Sequence, residues 1–296
     1  MFITSLIRKF FLVRGYEINK IDTRKNLYYG RRRWEYQEPF VKSHLPSNGI
    51  ILDIGSGHFP TPGASILADF FPEDTIHRGG TIVEDRPLVV CSVERMPFRN
   101  KKFDFVVCSH VLEHLDHPAR AAQELSRIAG AGYIETPAYG KDIIVGTGNM
   151  HKWQVVEFEG TMHFFEYSQR QFEAHVTSPA MELWASKKYH PWQDFFWKRQ
   201  DLYNAMHIWK DSPSVIEHRR NITAETPLPG WAPVSETALP DSPVLLSDKE
   251  IDMLLNTLST PDGKEGMLFD RDKFVSSNGN IRYPVRGKRI YFELSQ

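Results

Sequence analysis

Cysteine is scarce in this 296-residue chain, which holds only Cys91 and Cys108. Both lie inside apolar, strand-like runs. With no C-x-x-C pair, neither a zinc ribbon nor a dithiol redox centre is supported, and the two thiols read as small buried hydrophobes of a reducing compartment. Net charge is scarce as well. Lys+Arg number 36 and Asp+Glu 37, leaving −1, which removes any global electrostatic drive toward nucleic acid. Long apolar runs are absent too. The N-terminal MFITSLIRKFFLVRGYEI is interrupted by Arg8 and Lys9, is too short to span a bilayer, and is followed by no small-residue cleavage site. A cytoplasmic protein is therefore expected.

The charge is unevenly placed. Residues 1–33 carry nine Lys/Arg against Glu17 and Asp22, a net +7 on an otherwise acidic chain. Phe2, Ile3, Leu6, Phe10 and Val13 fall near one helical face. A helix packed on the protein's own core accounts for that pattern; peripheral membrane contact or partner docking through residues 1–14 is the alternative. Arg31, Arg32 and Arg33 beside Trp34 could hold a nucleic-acid strand, but one short cluster on a neutral protein reads better as a solvated surface.

The most informative stretch is Ile50-Ile51-Leu52-Asp53-Ile54-Gly55-Ser56-Gly57. An apolar run closed by an acidic residue and two glycines reads as a buried strand turning sharply beneath a ligand. A third glycine and a Lys-Ser/Thr ending are both missing, which argues against dinucleotide and P-loop sites. Further strands are expected at Ser65–Asp69, Leu88–Cys91, Phe103–Cys108 and Gly132–Thr136. A helix is expected from Asp116 as N-cap to Ile128, with Pro118 in its first turn. Apolar strands alternating with helical segments predict an α/β fold with a doubly wound, Rossmann-like, mostly parallel sheet. Ligands of such sheets bind beyond the carboxyl ends of the strands. Four features stand at successive strand ends: the glycine turn, Asp69, Ser92-Val93-Glu94, and Ser109-His110.

Beyond residue 138 the alternation fades. Trp153–Glu159 and Thr161–Tyr167 suggest a hairpin around Gly160, followed by a helix from Ser168 to about His175. The proline-rich stretch from Ser212 to Pro243 reads as an irregular excursion or lid. Ser247–Glu250 is a capping box that opens a helix through Leu258, and Lys288–Leu294 reads as a closing strand. The expected organisation is a basic amphipathic segment (1–45), a cofactor-binding core (46–185) and a C-terminal cap over the acceptor (186–296).

The runs Ser92-Val93-Glu94-Arg95-Met96-Pro97-Phe98, Phe103 to His114, and Glu124-Leu125-Ser126-Arg127-Ile128 together resemble class I S-adenosylmethionine-dependent methyltransferases. The likeness is to the ubiquinone-biosynthesis-like branch, and Gly132-Tyr133-Ile134-Glu135-Thr136-Pro137 resembles a subset found beside glycan-modifying genes. The resemblance covers residues 50–137. It implies S-adenosyl-L-methionine as cofactor, with Asp53, Gly55, Ser56 and Gly57 at the methionine moiety and Asp69 at the ribose. Ser92, Val93 and Glu94 would border the adenine, and Ser109 and His110 the sulfonium side. Two departures stand out. Ser92 occupies a place where the family usually has Asp, and the Gly57–Ser65 connection is too short for a crossover helix.

Methyl transfer from a sulfonium asks the protein mainly to position the acceptor and exclude water. For a hydroxyl acceptor a histidine base is suited near neutral pH. His110, His151 and His163 are candidates, with Glu135 as a partner. The expected acceptor is a hydroxyl of a sugar, glycolipid precursor or small metabolite. A nucleic-acid or protein acceptor and a non-catalytic cofactor-binding domain are the alternatives. His110-Val111-Leu112-Glu113-His114 also matches the H-x-x-E-H spacing of zinc peptidases. That reading needs the motif inside a helix and a third ligand farther on, and its place directly after an apolar strand disfavours it. No metal ligand is therefore assigned from sequence.

Overall fold

The computed structural model describes residues 34–73, 78, 80–146, 150–168, 192, 195–196, 199–220, 234–235, 239–292 and 294–295. Five parallel strands form its centre: β1 (Ile51–Ile54), β2 (Ile66–Asp69), β3 (Leu88–Val90), β4 (Phe105–Ser109) and β5 (Ala131–Pro137). They lie in the order β3-β2-β1-β4-β5. The register places Leu52 against Ile66 and Ile54 against Cys108. All four residues of β1 are buried, the expected signature of a strand covered on both faces.

The remaining strands are a hairpin of β6 (Trp153–Phe158) and β7 (Thr161–Glu166), then β8 (Asn204–Lys210), β9 (Val215–His218) and β10 (Val234–Ser235). They continue with β11 (Met267–Asp270), β12 (Lys273–Ser276), β13 (Arg282–Arg286), β14 (Arg289–Tyr291) and β15 (Leu294–Ser295). β8 runs antiparallel beside β5. β14 joins β3 in parallel and leads into the antiparallel β13, β12 and β11. The central sheet thus has ten strands. Half of them come from residues 186–296, the stretch expected as a cap, so much of that stretch is built into the sheet itself. β6, β7 and β9 make a separate sheet, and β10 pairs with β15.

Helix α1 spans Trp34–Val41 and α2 Pro118–Ile128. Helices α3 (Tyr139–Val145), α4 (Gln200–Tyr203) and α5 (Asp248–Thr257) follow. Leu52, Ile54, Val106 and Cys108 pack with Leu125 and Ile128 of α2 and with Trp153 and Phe164 of the hairpin. The opposite face of the sheet gathers Ile51, Leu67, Phe105, Val107 and Tyr133 against Val41 of α1. The fold is Rossmann-like α/β, as the periodicity predicts.

Several expectations need correction. Asp116 does not cap α2: His117 takes that position without a side-chain cap, and Asp116 pairs instead with Lys152. The exposed amides at this end are met from elsewhere, His117 N–H by Glu94 (2.9 Å) and Ala119 N–H by Glu217 (2.8 Å), placing acidic groups where the helix dipole favours them. The stretch from Ser212 to Pro243 is not wholly irregular, because β9 lies in it and pairs in parallel with β7. The hairpin turns at Gly160 (φ +74°) and the Ser247 capping box is formed. No helix forms between β1 and β2. The expected helices over residues 1–14 and beyond Ser168 lie outside the described residues.

Candidate functional site: the carboxyl ends of the parallel strands

Gly55 and Gly57 adopt left-handed backbone angles, φ +65° and +51°. They do so because the chain leaves β1 and at once doubles back over β2, where Ala68 accepts the Gly55 N–H at 2.8 Å. A side chain at Gly55 would place its first carbon 2.3 Å from Val111 Cγ2, so only glycine lets the turn after β4 pack here. Asp53 is buried and accepts the Thr61 N–H at 2.6 Å, tying the short connection to β1. Ser56 is buried, and its hydroxyl has no hydrogen-bond partner among the described residues.

Asp69, at the end of β2, receives one backbone donor on each oxygen, from Gly57 (3.1 Å) and Phe71 (3.0 Å). Arg78 stands 3.8 Å away. Burial raises the Asp69 pKa against these contacts. A carboxylate offers about four acceptor positions, so this one retains capacity for a further hydroxyl donor. After β3, the Ser92 hydroxyl accepts the Glu94 N–H (3.2 Å), Val93 is buried in the core, and Glu94 reaches His117.

At the ends of β4 and β5 the polar groups converge on Glu135, which is fully buried. It accepts hydrogen bonds from Tyr36 Oη (2.6 Å), Gln37 Nε2 (2.7 Å), Asn204 Nδ2 (2.7 Å), His110 Nε2 (2.9 Å) and the Tyr133 hydroxyl. Burial alone would raise the Glu135 pKa, but His110 and the hydroxyl donors hold it at about 2. Gln37 also donates to Ser109 Oγ (2.8 Å), so α1 clamps the ends of both strands. Behind Asn204 stands Lys141, buried and 2.7 Å from Asn204 Oδ1.

His110 has φ +57°, a left-handed angle uncommon for a residue with a side chain. Its N–H still donates to the Glu135 carbonyl at 2.8 Å, extending the ladder, before the chain turns into a 3-10 turn at Leu112–His114. Such angles cost about 1 kcal/mol or more and gather at functional sites. The turn aims His110 between two carboxylates, Glu135 on Nε2 and Glu113 Oε1 at 3.4 Å from Nδ1. Burial and Lys141 oppose protonation, yet the two carboxylates prevail and His110 titrates above its ordinary value. Glu113, which burial would raise, is held at about 2 by His114, His110 and His151. His114 is pushed down to about 4 by burial.

A cavity of about 660 Å³ opens beside this network. Tyr36, Phe40, Tyr139, Val155, Asn204 and Met206 are among its walls. Its volume suits a small ligand, and Tyr36 and Asn204 both rest on Glu135 Oε1. Of the histidines predicted from sequence, His110 meets Glu135 directly. His151 pairs with Asp142. His163 lies on β7 in the other sheet, 3.0 Å from His218. Tyr36, Gln37 and Asn204 were missed by sequence reasoning because they join Glu135 across long stretches of chain, and Lys141 because it enters through Asn204. The one available hint was a run of polar and aromatic residues following Arg33.

A methyltransferase-domain family model matches residues 72–132, from the loop after β2 through α2 into β5, and it implies S-adenosylmethionine as the cofactor. An uncharacterized protein of Methanocaldococcus jannaschii is 28% identical over 96 residues, 31% of this chain and 44% of that one. The match therefore spans less than half of that relative. A solved protein from Pyrococcus horikoshii OT3 is 15% identical, with 64% of this chain and 95% of that one covered at a TM-score of 0.36. An S-adenosylmethionine-dependent methyltransferase from Mesorhizobium loti is 16% identical, with 44% and 62% covered at a TM-score of 0.30.

Proposed function

We propose that the protein is an S-adenosylmethionine-dependent methyltransferase acting on a hydroxyl of a sugar, glycolipid precursor or small metabolite. The observation that carries this reading is the position of His110. It follows β4, its neighbour Val111 packs onto Gly55 of the glycine turn, and its Nε2 rests on the carboxylate that also anchors two walls of the cavity. Bound S-adenosylmethionine supplies a methyl group already activated by its sulfonium.

The chain's own residues then have three tasks. Asp53 and the Gly55-Ser56-Gly57 turn hold the methionine moiety, and the buried Ser56 hydroxyl with no partner in the described protein suits that use. Asp69 takes a ribose hydroxyl on its remaining acceptor capacity, while Ser92, Val93 and Glu94 border the adenine. The acceptor enters the cavity beyond β5. Glu135 fixes the His110 ring through Nε2, and Nδ1, 3.4 Å from Glu113 Oε1, is the nitrogen that takes the acceptor's proton. Peripheral membrane contact through residues 1–14 belongs to the same proposal. Among the described residues, no helix is long and apolar enough to cross a membrane.

Calorimetric titration of S-adenosylmethionine into the wild-type protein and Asp69→Ala tests the cofactor site. Saturable binding weakened at least about tenfold, or about 1.4 kcal/mol, in the variant is expected. Unchanged affinity in Asp69→Ala would overturn the ribose assignment, and no binding to wild type would overturn the methyltransferase reading.

A further inference from the structure

Three side chains near His110 have no part in that reaction: Glu113 and His114 of the 3-10 turn, and His151 just before β6. One ligand atom from each lies within 4.8 Å of the others. Glu113 is 1% exposed; among the described residues neither of its oxygens completes a well-formed hydrogen bond, and its contact with His110 Nδ1 is long, at 3.4 Å. Its Oε1 stands 3.6 Å from His114 Nε2, beyond hydrogen-bonding range. A carboxylate shut away from water with only long imidazole contacts is costly unless a cation completes it.

The two imidazoles are held in one orientation. His114 Nδ1 faces the Met150 carbonyl at 3.0 Å. A carbonyl only accepts, so Nδ1 carries the proton and Nε2 the lone pair. His151 Nδ1 faces Asp142 Oδ1 at 2.9 Å, while the Tyr167 hydroxyl donates to the other oxygen of Asp142 at 3.0 Å. A carboxylate or carbonyl behind Nδ1 is how proteins orient a histidine so that Nε2 can meet a metal. Ligands on a tetrahedral ion with bonds of about 2.1 Å sit about 3.4 Å apart. The Glu113–His114 separation is already close to that, and the side chains of His114 and His151 remain 22% and 15% exposed, which leaves an entry path.

We propose that Glu113, His114 and His151 bind a divalent transition-metal ion of the zinc class. Two imidazole nitrogens and one carboxylate suit such an ion and leave a position open for water or an acceptor oxygen. The site is unlike the zinc-peptidase arrangement that the H-x-x-E-H spacing brings to mind. His110 is committed to Glu135, and residues 110–114 form no α-helix. His110 bridges the two centres, so the ion would lie one side chain away from Glu135.

The test is titration of zinc chloride into chelator-stripped full-length protein, without S-adenosylmethionine, so that its outcome is independent of the methyltransferase reading. Saturable binding of one ion per chain is expected, with His151→Ala and Glu113→Gln each weakening it at least about tenfold and Asp142→Asn by a similar factor. A surface control, His44→Ala, should bind as wild type does. Cobalt(II) loading should give visible d–d absorption that His151→Ala abolishes; melting curves of the metal-free proteins check that this variant is folded. No saturable zinc binding to wild type, or equal affinity in His151→Ala and Glu113→Gln, would overturn the proposal.

Discussion

Replacing Glu135 by glutamine removes one charge and almost no volume, which makes it a sharp probe of the network at the ends of β4 and β5. The carboxylate is fully buried and receives five donors. A glutamine keeps an acceptor on one side only, so its amide would face Gln37 and Tyr133, or the three donors on the other oxygen. Breaking a buried charged pair typically costs about 3–5 kcal/mol. The depressed pKa gives a second, order-of-magnitude route. A pKa of about 2 in the folded protein against 4.5 unfolded corresponds to about 3 kcal/mol at neutral pH. The two agree, and for a chain of this size they translate into a fall in Tm on the order of 6–10 °C. The sign of the pH dependence follows from the depressed pKa. The contribution is complete above pH 4.5 and is lost as pH falls through about 2. The stability gap between wild type and Glu135→Gln, read by urea unfolding with circular dichroism, should therefore be wide at pH 7 and should narrow below pH 4.5. A gap under about 1 kcal/mol at pH 7, or one that widens in acid, would refute this account of the network.

The remaining expectations concern the turn and the base. Gly55→Ala should destabilise by about 3 kcal/mol, combining a left-handed backbone with a 2.3 Å approach to Val111. Gly57→Ala, whose new carbon meets Arg78 Cδ and the Gly55 carbonyl at ordinary contact distances of 3.7 and 3.9 Å, should cost about 1 kcal/mol; equal losses in urea unfolding would contradict the packing argument. Since Glu113 and Glu135 raise the His110 pKa despite its burial, the methyl-transfer rate should climb with pH through a value above 6.5. His110→Gln should remove that limb, and an inflection below 6.5 in the wild type would exclude His110 as the proton acceptor.

Much of the scaffold was legible because it is written in local pattern. The apolar runs of β1 to β5, the hairpin about Gly160 and the Ser247 capping box each lie within a few residues, and hydrophobic periodicity finds them. The strand β8 was not legible. Its sequence Asn204–Lys210 mixes polar and apolar residues because it borders β5 with one face on a polar network. The meander β11–β13 left one usable signal, Asn278-Gly279 between two strand-like runs, with Gly279 at φ +74°. The Glu135 network had none: Tyr36 and Gln37 lie 99 and 98 residues before it and Asn204 lies 69 after. Nothing in local periodicity marks donors brought together by the fold from so far apart.

His110 makes the two carboxylates beside it comparable, because each faces one nitrogen of the same ring. Glu135 receives four neutral donors besides the His110 ring and needs no further cation; its role is to hold α1, β4, β5 and β8 together and to fix the ring. Glu113 is equally buried, yet among the described residues its oxygens have only long imidazole contacts, His110 Nδ1 at 3.4 Å and His114 Nε2 at 3.6 Å. If both acids served only to brace the fold, the same low dielectric would demand donors for both. The asymmetry separates their roles: the acid rich in close donors is the structural one, and the acid with only long imidazole contacts, flanked by His114 and His151, is the one placed to bind a cation.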